Sequence, residues 1–231
     1  VDQLEATLRA HREDRAGHVA CGMRLWKRGR LQAVFGTEKP LIFQDNPEKS
    51  VAQAKALGRG LLIWAGKEPA GLPGDLPIRR VEDGFLRSRG LGAELVPPLS
   101  VVTDDLGIYY DPSRPSRLEQ LIQTPLSASA RLRIEKLVQS LLAQRLSKYN
   151  LAGATLPDLP AGHRVLVPGQ VEDDASIRLG AGEVRRNLDL LRAARCAHPR
   201  AQLIYKPHPD VEAGLRPGAI SPAEIAALGA R

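Results

Sequence analysis

The chain has 231 residues, of which 43% are hydrophobic and 26% charged, a balance typical of a globular protein with a buried core. Its net charge of +7 favours an anionic ligand or surface, whether phosphate, nucleic acid, acidic sugar or acidic lipid. Two distant cysteines, Cys21 and Cys196, argue against a disulfide framework and favour a reducing, cytoplasmic setting. No run approaches the roughly 18 apolar residues of a transmembrane helix, and no signal peptide opens the chain, which we interpret as a fragment of a longer protein.

The first part of the chain has the strand–helix rhythm of a Rossmann-like unit. Residues 1–20 are polar and predict a surface helix or linker, and the unit itself is predicted at 21–150. Residues 22–36 predict a helix with an apolar face and a solvated basic face; the alternative is that the basic face contacts a phosphate or lipid head group. The elements predicted after it are, in order, an apolar segment at 41–45, a helix at 49–57, strands at 61–64, 78–81, 100–103 and 108–110, and helices at 118–123 and 127–149.

A loose segment rich in proline and glycine, 151–162, predicts a linker. A second Rossmann-like unit is predicted at 163–231. Its predicted elements are a strand at 165–167, a helix at 183–197 and a strand at 203–205. The sequence therefore predicts an α/β fold with two units.

Polar and charged side chains follow three of the predicted strands. They are Glu82-Asp83, the segment from Gln170 to Asp174, and the segment from Lys206 to Asp210. In open α/β sheets, groups just past the carboxyl end of a strand face the ligand crevice. The recurrence of this pattern predicts a reaction site.

The acidic residues have both chemical and structural interpretations. Asp173 is suited to act as nucleophile, general base or metal ligand, although Asp173 or Asp174 is equally suited to cap the next helix. Glu82 is suited to act as a general acid or base, because partial burial raises a carboxyl pKa. The alternative for Glu82 is an ion pair with Arg87 or Arg89.

The basic residues fit an anionic ligand. Lys206 and His208 alternate with prolines that stiffen the backbone, and both can donate to phosphate oxygens. An ordinary strand-to-loop transition is the alternative. The segment with Arg87, Ser88 and Arg89, followed by two glycines, predicts a basic, flexible loop.

Several common site types are absent from the sequence. There is no GxGxxG fingerprint for a nicotinamide cofactor and no Walker A motif. Histidine and cysteine lack zinc-site spacing, and no carboxylate pair has a spacing that demands a metal. Basic residues are not interleaved with aromatic residues, which argues against a nucleic-acid partner.

Several motifs resemble those of the capsule polysaccharide β-Kdo transferase (KpsC) family, which initiates capsule export in Gram-negative bacteria. They are VEDGFLRSRGLG (81–92), PPLSVVTDDLGIYYD (97–111), SKYN (147–150), PGQVEDDASI (168–177) and YKPHPD (205–210). The resemblance runs from about residue 22 to residue 216 in the family's order. Members carry two related glycosyltransferase modules, and the segment 26–28 with its polar lead-in resembles the second.

The resemblance implies a GT-B-like glycosyltransferase with two Rossmann-like units facing a cleft. The implied donor is CMP-β-Kdo, and the implied acceptor is lyso-phosphatidylglycerol carrying an oligo-Kdo linker. Kdo is expected to be transferred with retention of the β configuration, without a cofactor or metal. The expected location is cytoplasmic, peripheral to the inner membrane.

The family's motifs transfer onto particular residues. Its Gln-x-Glu-Asp motif falls on Gln170, Glu172 and Asp173, and its His-Pro motif on His208-Pro209. Retention by two inversions then makes Asp173 the expected nucleophile. Glu82 is the expected base. The further expected binding residues are Lys206 and His208 for the phosphate and Arg87, Ser88 and Arg89 for a carboxylate or phosphate.

One motif of the family, Ser-Leu-x-Gly-Phe-Glu, is missing after residue 216. We therefore expect the CMP-binding unit to be incomplete here and the activity of this chain alone to be in doubt. A transferase of another CMP-activated acidic sugar and a non-catalytic glycolipid-binding module are the alternatives.

Overall fold

The computed structural model describes residues 4, 8, 12–151 and 158–231, which form two compact units. Unit 1 comprises Val1–Arg89, Pro97–Tyr109 and Ser113–Asn150. Unit 2 comprises Gly90–Val96, Tyr110–Pro112 and Leu151–Arg231. Most of the predicted surface helix or linker at 1–20 and of the predicted linker at 151–162 lies outside the described residues or in irregular backbone.

Unit 1 is built on a five-stranded sheet with the strand order β2-β1-β3-β4-β5. The first four strands are parallel, and β5 is antiparallel to β4. This confirms the predicted α/β class with a parallel sheet. The strands are β1 (His18–Cys21), β2 (Ile42–Phe43), β3 (Gly60–Trp64), β4 (Ile78–Asp83) and β5 (Val101–Asp104).

Helices cover both faces of this sheet. Leu31 and Phe35 of α1 (Leu25–Phe35) pack against Ala20 in one apolar cluster, while Ala54 of α2 (Pro47–Leu57) packs against Val19 in another. Successive strand residues point to opposite faces, so α1 and α2 lie on opposite sides. The strand order therefore reverses between β1 and β3, where doubly wound folds bind ligands.

Local signals explain where the helices begin and end. Asn46 accepts the Lys49 N–H at 2.9 Å, and Gly58 closes α2 with φ 59°. The helix predicted at 118–123 is α3 (Arg117–Gln123), with a capping box at its start. The helix predicted at 127–149 is α4 (Ala128–Ala143), which is shorter because Arg145 turns the chain with φ 52°.

Unit 2 contains two parallel strands, β6 (Arg164–Pro168) and β7 (Gln202–Lys206). Their core joins Val167, Leu203 and Tyr205 to Leu191 of the longest helix of this unit. The helices of unit 2 are α5 (Ala175–Gly180), α6 (Asn187–Ala197), α7 (Pro209–Glu212) and α8 (Pro222–Ala227).

Two predicted elements were wrong. Residues 18–21, assigned mostly to a surface helix or linker, form the buried strand β1, because they pair with β3 and, at Val19 and Ala20, also with β2. The strand predicted at 108–110 is a turn. Just before it, β5 ends in a turn in which the Asp104 carboxylate accepts the N–H groups of Leu106 and Gly107 at 2.9 and 2.8 Å.

Candidate functional site

The carboxyl ends of β6 and β7 place two of the predicted motifs side by side in unit 2. Pro168 lies opposite Lys206, and the Gly169 N–H donates to the Lys206 carbonyl oxygen at 2.8 Å. Because parallel strands end at the same edge, the segments 170–174 and 206–210 leave the sheet as neighbours. The structure therefore brings together the acidic and basic residues that the sequence assigned to this unit.

Gly169 and Tyr205 approach each other closely where these segments begin. A Cβ atom at Gly169 would lie 2.6 Å from the Tyr205 hydroxyl oxygen, so only glycine fits there. That hydroxyl is buried without a hydrogen-bond partner among the described residues. Burial, and to a smaller extent the Glu172 carboxylate, raises the pKa of Tyr205. Tyr205 was not predicted as a site residue.

Asp173 and Asp174 have different roles. Asp174 Oδ2 accepts from the Ser176 N–H at 3.3 Å and from its hydroxyl at 2.7 Å, so Asp174 caps α5. Asp173 Oδ1 accepts from Arg216 Nη2 at 2.7 Å and Nε at 3.3 Å. No described residue donates a hydrogen bond to Asp173 Oδ2, and the side chain is 57% exposed. The capping alternative thus holds for Asp174 and leaves Asp173 with one open oxygen.

Gln170 and Glu172 are held by one buried residue, Asn187. Its Oδ1 accepts the Gln170 N–H, and its Nδ2 donates to the carbonyl oxygens of Gln170 and Gly218, each at 2.8 Å. The Asn187 N–H donates to Glu172 Oε1 at 2.8 Å. Glu172 therefore fixes the start of α6, whereas the Gln170 side chain stays exposed. Their substrate-binding roles remain predictions.

Lys206 and His208 leave β7 in different environments. Lys206 is exposed, whereas His208 Nδ1 accepts the Asp210 N–H at 3.1 Å and caps α7. Pro209 is the first helical residue, a position where proline costs no hydrogen bond. Because Nδ1 is the acceptor, Nε2 carries the proton of the neutral ring. The cap and a phosphate-donor role use different ring nitrogens and are compatible.

In unit 1, Glu82 and Asp83 form the last two residues of β4 rather than following it. Asp83 Oδ1 accepts from Lys27 Nζ at 3.0 Å, and its Oδ2 accepts from Arg87 Nε at 2.7 Å. Both oxygens of Asp83 are therefore committed. Arg87, one of the two partners predicted for Glu82, pairs with Asp83. Glu82 Oε1 accepts the Asp83 N–H at 2.9 Å. The role of Glu82 as a base stays a prediction.

Lys27 is buried, although the basic face of its helix was predicted to be solvated. Its side chain lies against two aromatic rings, with Nζ 3.5 Å from the centre of the Trp64 ring and 5.0 Å from that of Trp26. Burial lowers the pKa of Lys27, and the Asp83 carboxylate opposes this shift. The sequence shows no sign of this burial, because Asp83 lies 56 residues away.

The predicted flexible loop is rigid at Arg87 and Ser88, both of which are buried. Their N–H groups donate to the Lys148 carbonyl oxygen at 2.9 and 3.1 Å, and Asn150 Nδ2 donates to the Ser88 carbonyl oxygen at 2.9 Å. The SKYN motif therefore clamps this loop. Arg89 is exposed, so a ligand-binding role remains a prediction for it.

Within the described residues, no group of histidine, cysteine or acidic side chains has the arrangement of a metal site. No helix among them has the length and apolar character needed to cross a bilayer. Cys21 and Cys196 are free thiols, and Cys196 is exposed.

The fold and the strand-end groups define an α/β protein with charged residues at the carboxyl ends of its strands. A sequence profile of the family described as capsule polysaccharide biosynthesis protein matches residues 72–159 and 133–224, and the chain belongs to this family. The capsule polysaccharide modification protein LipA of Neisseria meningitidis serogroup B is 41% identical over 235 residues. That match covers 98% of this chain but only 33% of LipA, so the chain spans about a third of this relative.

Two solved structures are also similar. Thermosulfurimonas dismutans KpsC, beta Kdo 2,7 transferase, matches with a TM-score of 0.69 and 28% identity, over 91% of this chain and 64% of that one. Thermosulfurimonas dismutans KpsC, beta Kdo 2,4 transferase, matches with a TM-score of 0.65 and 28% identity, over 87% and 63%. The resemblance drawn from the motifs is thereby confirmed.

Proposed function

We propose that this chain is part of a capsule-related Kdo transferase that uses CMP-β-Kdo and retains the β configuration. Family membership and the similarity to two KpsC Kdo transferases support the reaction class. The observation that carries the chemistry is Asp173. It presents an exposed carboxylate with one oxygen held by Arg216 and the other without a donor among the described residues.

In the first step, Asp173 Oδ2 attacks the anomeric carbon of Kdo. The bond from that carbon to the phosphate oxygen breaks, and CMP leaves with the electron pair. Lys206 and His208, at the neighbouring strand end, stabilise the departing phosphate. The product is a Kdo ester of Asp173. Arg216 orients the nucleophile, because it donates two hydrogen bonds to the other oxygen.

In the second step, Glu82 takes the proton of an acceptor hydroxyl, whose oxygen attacks the anomeric carbon. The ester bond to Asp173 breaks and the carboxylate is restored. Each displacement inverts the anomeric centre, so two of them retain the configuration. This step requires the GT-B-like arrangement in which unit 1 carries the acceptor and unit 2 the CMP-sugar.

The acceptor in this proposal is a Kdo-bearing lyso-phosphatidylglycerol at the inner membrane. We assign the membrane contact to α4, which exposes Leu137, Val138 and Leu142 and carries the exposed cations Arg133 and Lys136. An apolar stripe with basic flanks suits an anionic lipid surface.

Sedimentation with phosphatidylglycerol vesicles tests this contact. Leu142→Asp is expected to weaken binding, whereas Leu25→Asp, at an equally exposed leucine of α1, is expected to leave it unchanged. Equal binding by both variants would remove α4 from the proposal.

Mass spectrometry with CMP-Kdo tests the reaction. The protein, in its longest natural form, is incubated with the donor and a synthetic Kdo-bearing acceptor, and the product is identified. Without acceptor, a Kdo adduct is expected on the peptide that contains Asp173. A product formed only from CMP-sialic acid would change the donor, and an adduct on another carboxylate would overturn the nucleophile.

A further inference from the structure

Two of the buried hydrogen-bond donors in unit 1 that have no acceptor among the described residues lie close to each other. They are Nη2 of Arg87 and the indole Nε1 of Trp26. The Arg87 side chain is 1% exposed, and its Cζ lies 5.9 Å from the centre of the Trp26 ring. Buried donors normally have a partner, because an unmet one costs about 1–3 kcal/mol.

The other two guanidinium nitrogens of Arg87 each donate a hydrogen bond. Nε donates to Asp83 and Nη1 to the Ser88 hydroxyl, both at 2.7 Å. Asp83 already accepts from Lys27 on its other oxygen, and no hydrogen bond joins it to the third nitrogen. Nη2 is therefore the guanidinium nitrogen of Arg87 that has no acceptor among the described residues.

The backbone around Arg87 is fixed before any ligand arrives. The carbonyl oxygen of Lys148 accepts two N–H groups from the loop, and the Arg87 carbonyl oxygen accepts the Leu99 N–H at 2.6 Å. Ser147 and Asn150 stabilise the clamp by exchanging hydrogen bonds. A site held in this way loses little conformational entropy on binding.

The position in the fold independently indicates a ligand site. Trp26 lies in the first turn of α1, just after β1, and Trp64 ends β3. The strand order reverses between these two strands, and open α/β sheets bind ligands at the carboxyl ends of such strands. Trp26, Glu82 and Asp83 are only half-buried, so this edge is not sealed.

We propose that Arg87 and Trp26 form an oxyanion subsite that binds a carboxylate or phosphate group of the substrate. Arginine forks suit both groups. The chemical source of the oxyanion rests on the proposed function: either the carboxylate of a Kdo residue or the phosphate of the glycolipid. Arg89, which is exposed, has no part in the subsite.

The chain carries its own reporter, since its only two tryptophans, Trp26 and Trp64, both contact Lys27 beside the subsite. Titration of the protein with free Kdo, Kdo methyl ester, glycerol 3-phosphate and glucose is followed by tryptophan emission and by calorimetry. A response to Kdo but not to its ester assigns a carboxylate. A response to glycerol phosphate alone assigns the phosphate.

Three variants test which side chains donate hydrogen bonds to the bound oxyanion. Trp26→Phe removes the indole N–H and keeps a ring, and Trp64 still reports; binding is expected to weaken about tenfold or more. Trp64→Phe is expected to bind as the parent does. Arg87→Lys keeps a charge for Asp83 but loses the fork, and the same weakening is expected as for Trp26→Phe.

The proposal is overturned if no oxyanion binds the folded parent, or if folded Trp26→Phe and Arg87→Lys both bind with parental affinity. Circular dichroism establishes folding of each variant. The result is separable from the proposed function: Kdo transfer without this binding removes only the subsite. Binding without transfer in any donor assay removes only the transferase.

Discussion

The two units end their strands in similar acidic residues but use them differently. In unit 1, Asp83 is half-buried beside the buried Lys27 and Arg87, and both of its oxygens are occupied. In unit 2, Asp173 is exposed and only one oxygen is occupied. A carboxylate whose two oxygens are fixed stabilises a fold, whereas one with an open oxygen can form a bond. The number and burial of partners, not the residue type, separate the two roles.

The largest expected effect is on transfer by Asp173→Asn. Removal of the proposed nucleophile is expected to lower the rate by about a thousandfold or more. Stability should change by less than about 1 kcal/mol, because the pair with Arg216 is exposed. Rate is measured by product formation from CMP-Kdo and stability by thermal unfolding. If Asp173→Asn transferred Kdo at the parental rate, Asp173 would not be the reactive acid, and the proposed difference between Asp173 and Asp83 would be wrong.

Asp83→Asn in unit 1 should do the opposite. It leaves Lys27 and Arg87 buried without their shared counter-ion, which is expected to cost about 3–5 kcal/mol. Urea unfolding followed by tryptophan emission measures this, because both tryptophans belong to unit 1. Asp45→Asn, which removes the exposed partner of Arg28, is the control and should cost less than about 1 kcal/mol. Equal losses would show that burial does not distinguish these pairs.

The pH dependence of unit 1 gives the next largest effect. Burial, followed by the Arg79 guanidinium, lowers the pKa of His18 from 6.5 to about 4. Between these values the unfolded chain binds a proton that the folded chain does not, so stability falls as the pH falls from 6.5 to 4. The full loss is about 3 kcal/mol.

Urea unfolding of unit 1 at pH 7 and near pH 4 checks this loss. His18→Gln has no titrating group there, so its stability should fall less than that of the parent over the same interval. If both proteins lost the same free energy, His18 would not be the source. The charged neighbours of His18, which are Asp14, Arg59 and Arg79, remain in both proteins. A difference in pH dependence between the two proteins therefore comes from His18 itself.

Local sequence patterns predicted where the strands of both units end, but not which polar groups there have hydrogen-bond partners. Strands β3, β6 and β7 and helix α2 follow from apolar runs and caps, and the neighbouring motifs of unit 2 follow from parallel strands. The partners of the site residues lie far along the chain. Arg216 is 43 residues from Asp173, and Asn150 is 62 residues from Ser88.

The errors have the same physical origin. Strand β1 was missed because four residues that begin with His18 have no apolar alternation, and only the neighbouring strands make them a centre of the sheet. Glycines near Arg87 predicted flexibility, but tertiary hydrogen bonds from 147–150 hold that backbone. Asp173 and Asp174 are indistinguishable until the start of α5 and the side chain of Arg216 are both placed.

The smallest effect separates these two adjacent acids. Asp174→Ala removes the cap of α5 and is expected to cost about 1 kcal/mol. It should leave transfer within a few-fold of the parent, because Asp174 contributes to no bond-forming step. Thermal unfolding and the CMP-Kdo assay together check this. The acids would have exchanged roles if Asp174→Ala abolished transfer in a folded protein. Asp174 would then both cap α5 and carry the reaction, so an acid that stabilises the fold, as Asp83 does in unit 1, could also be the reactive one.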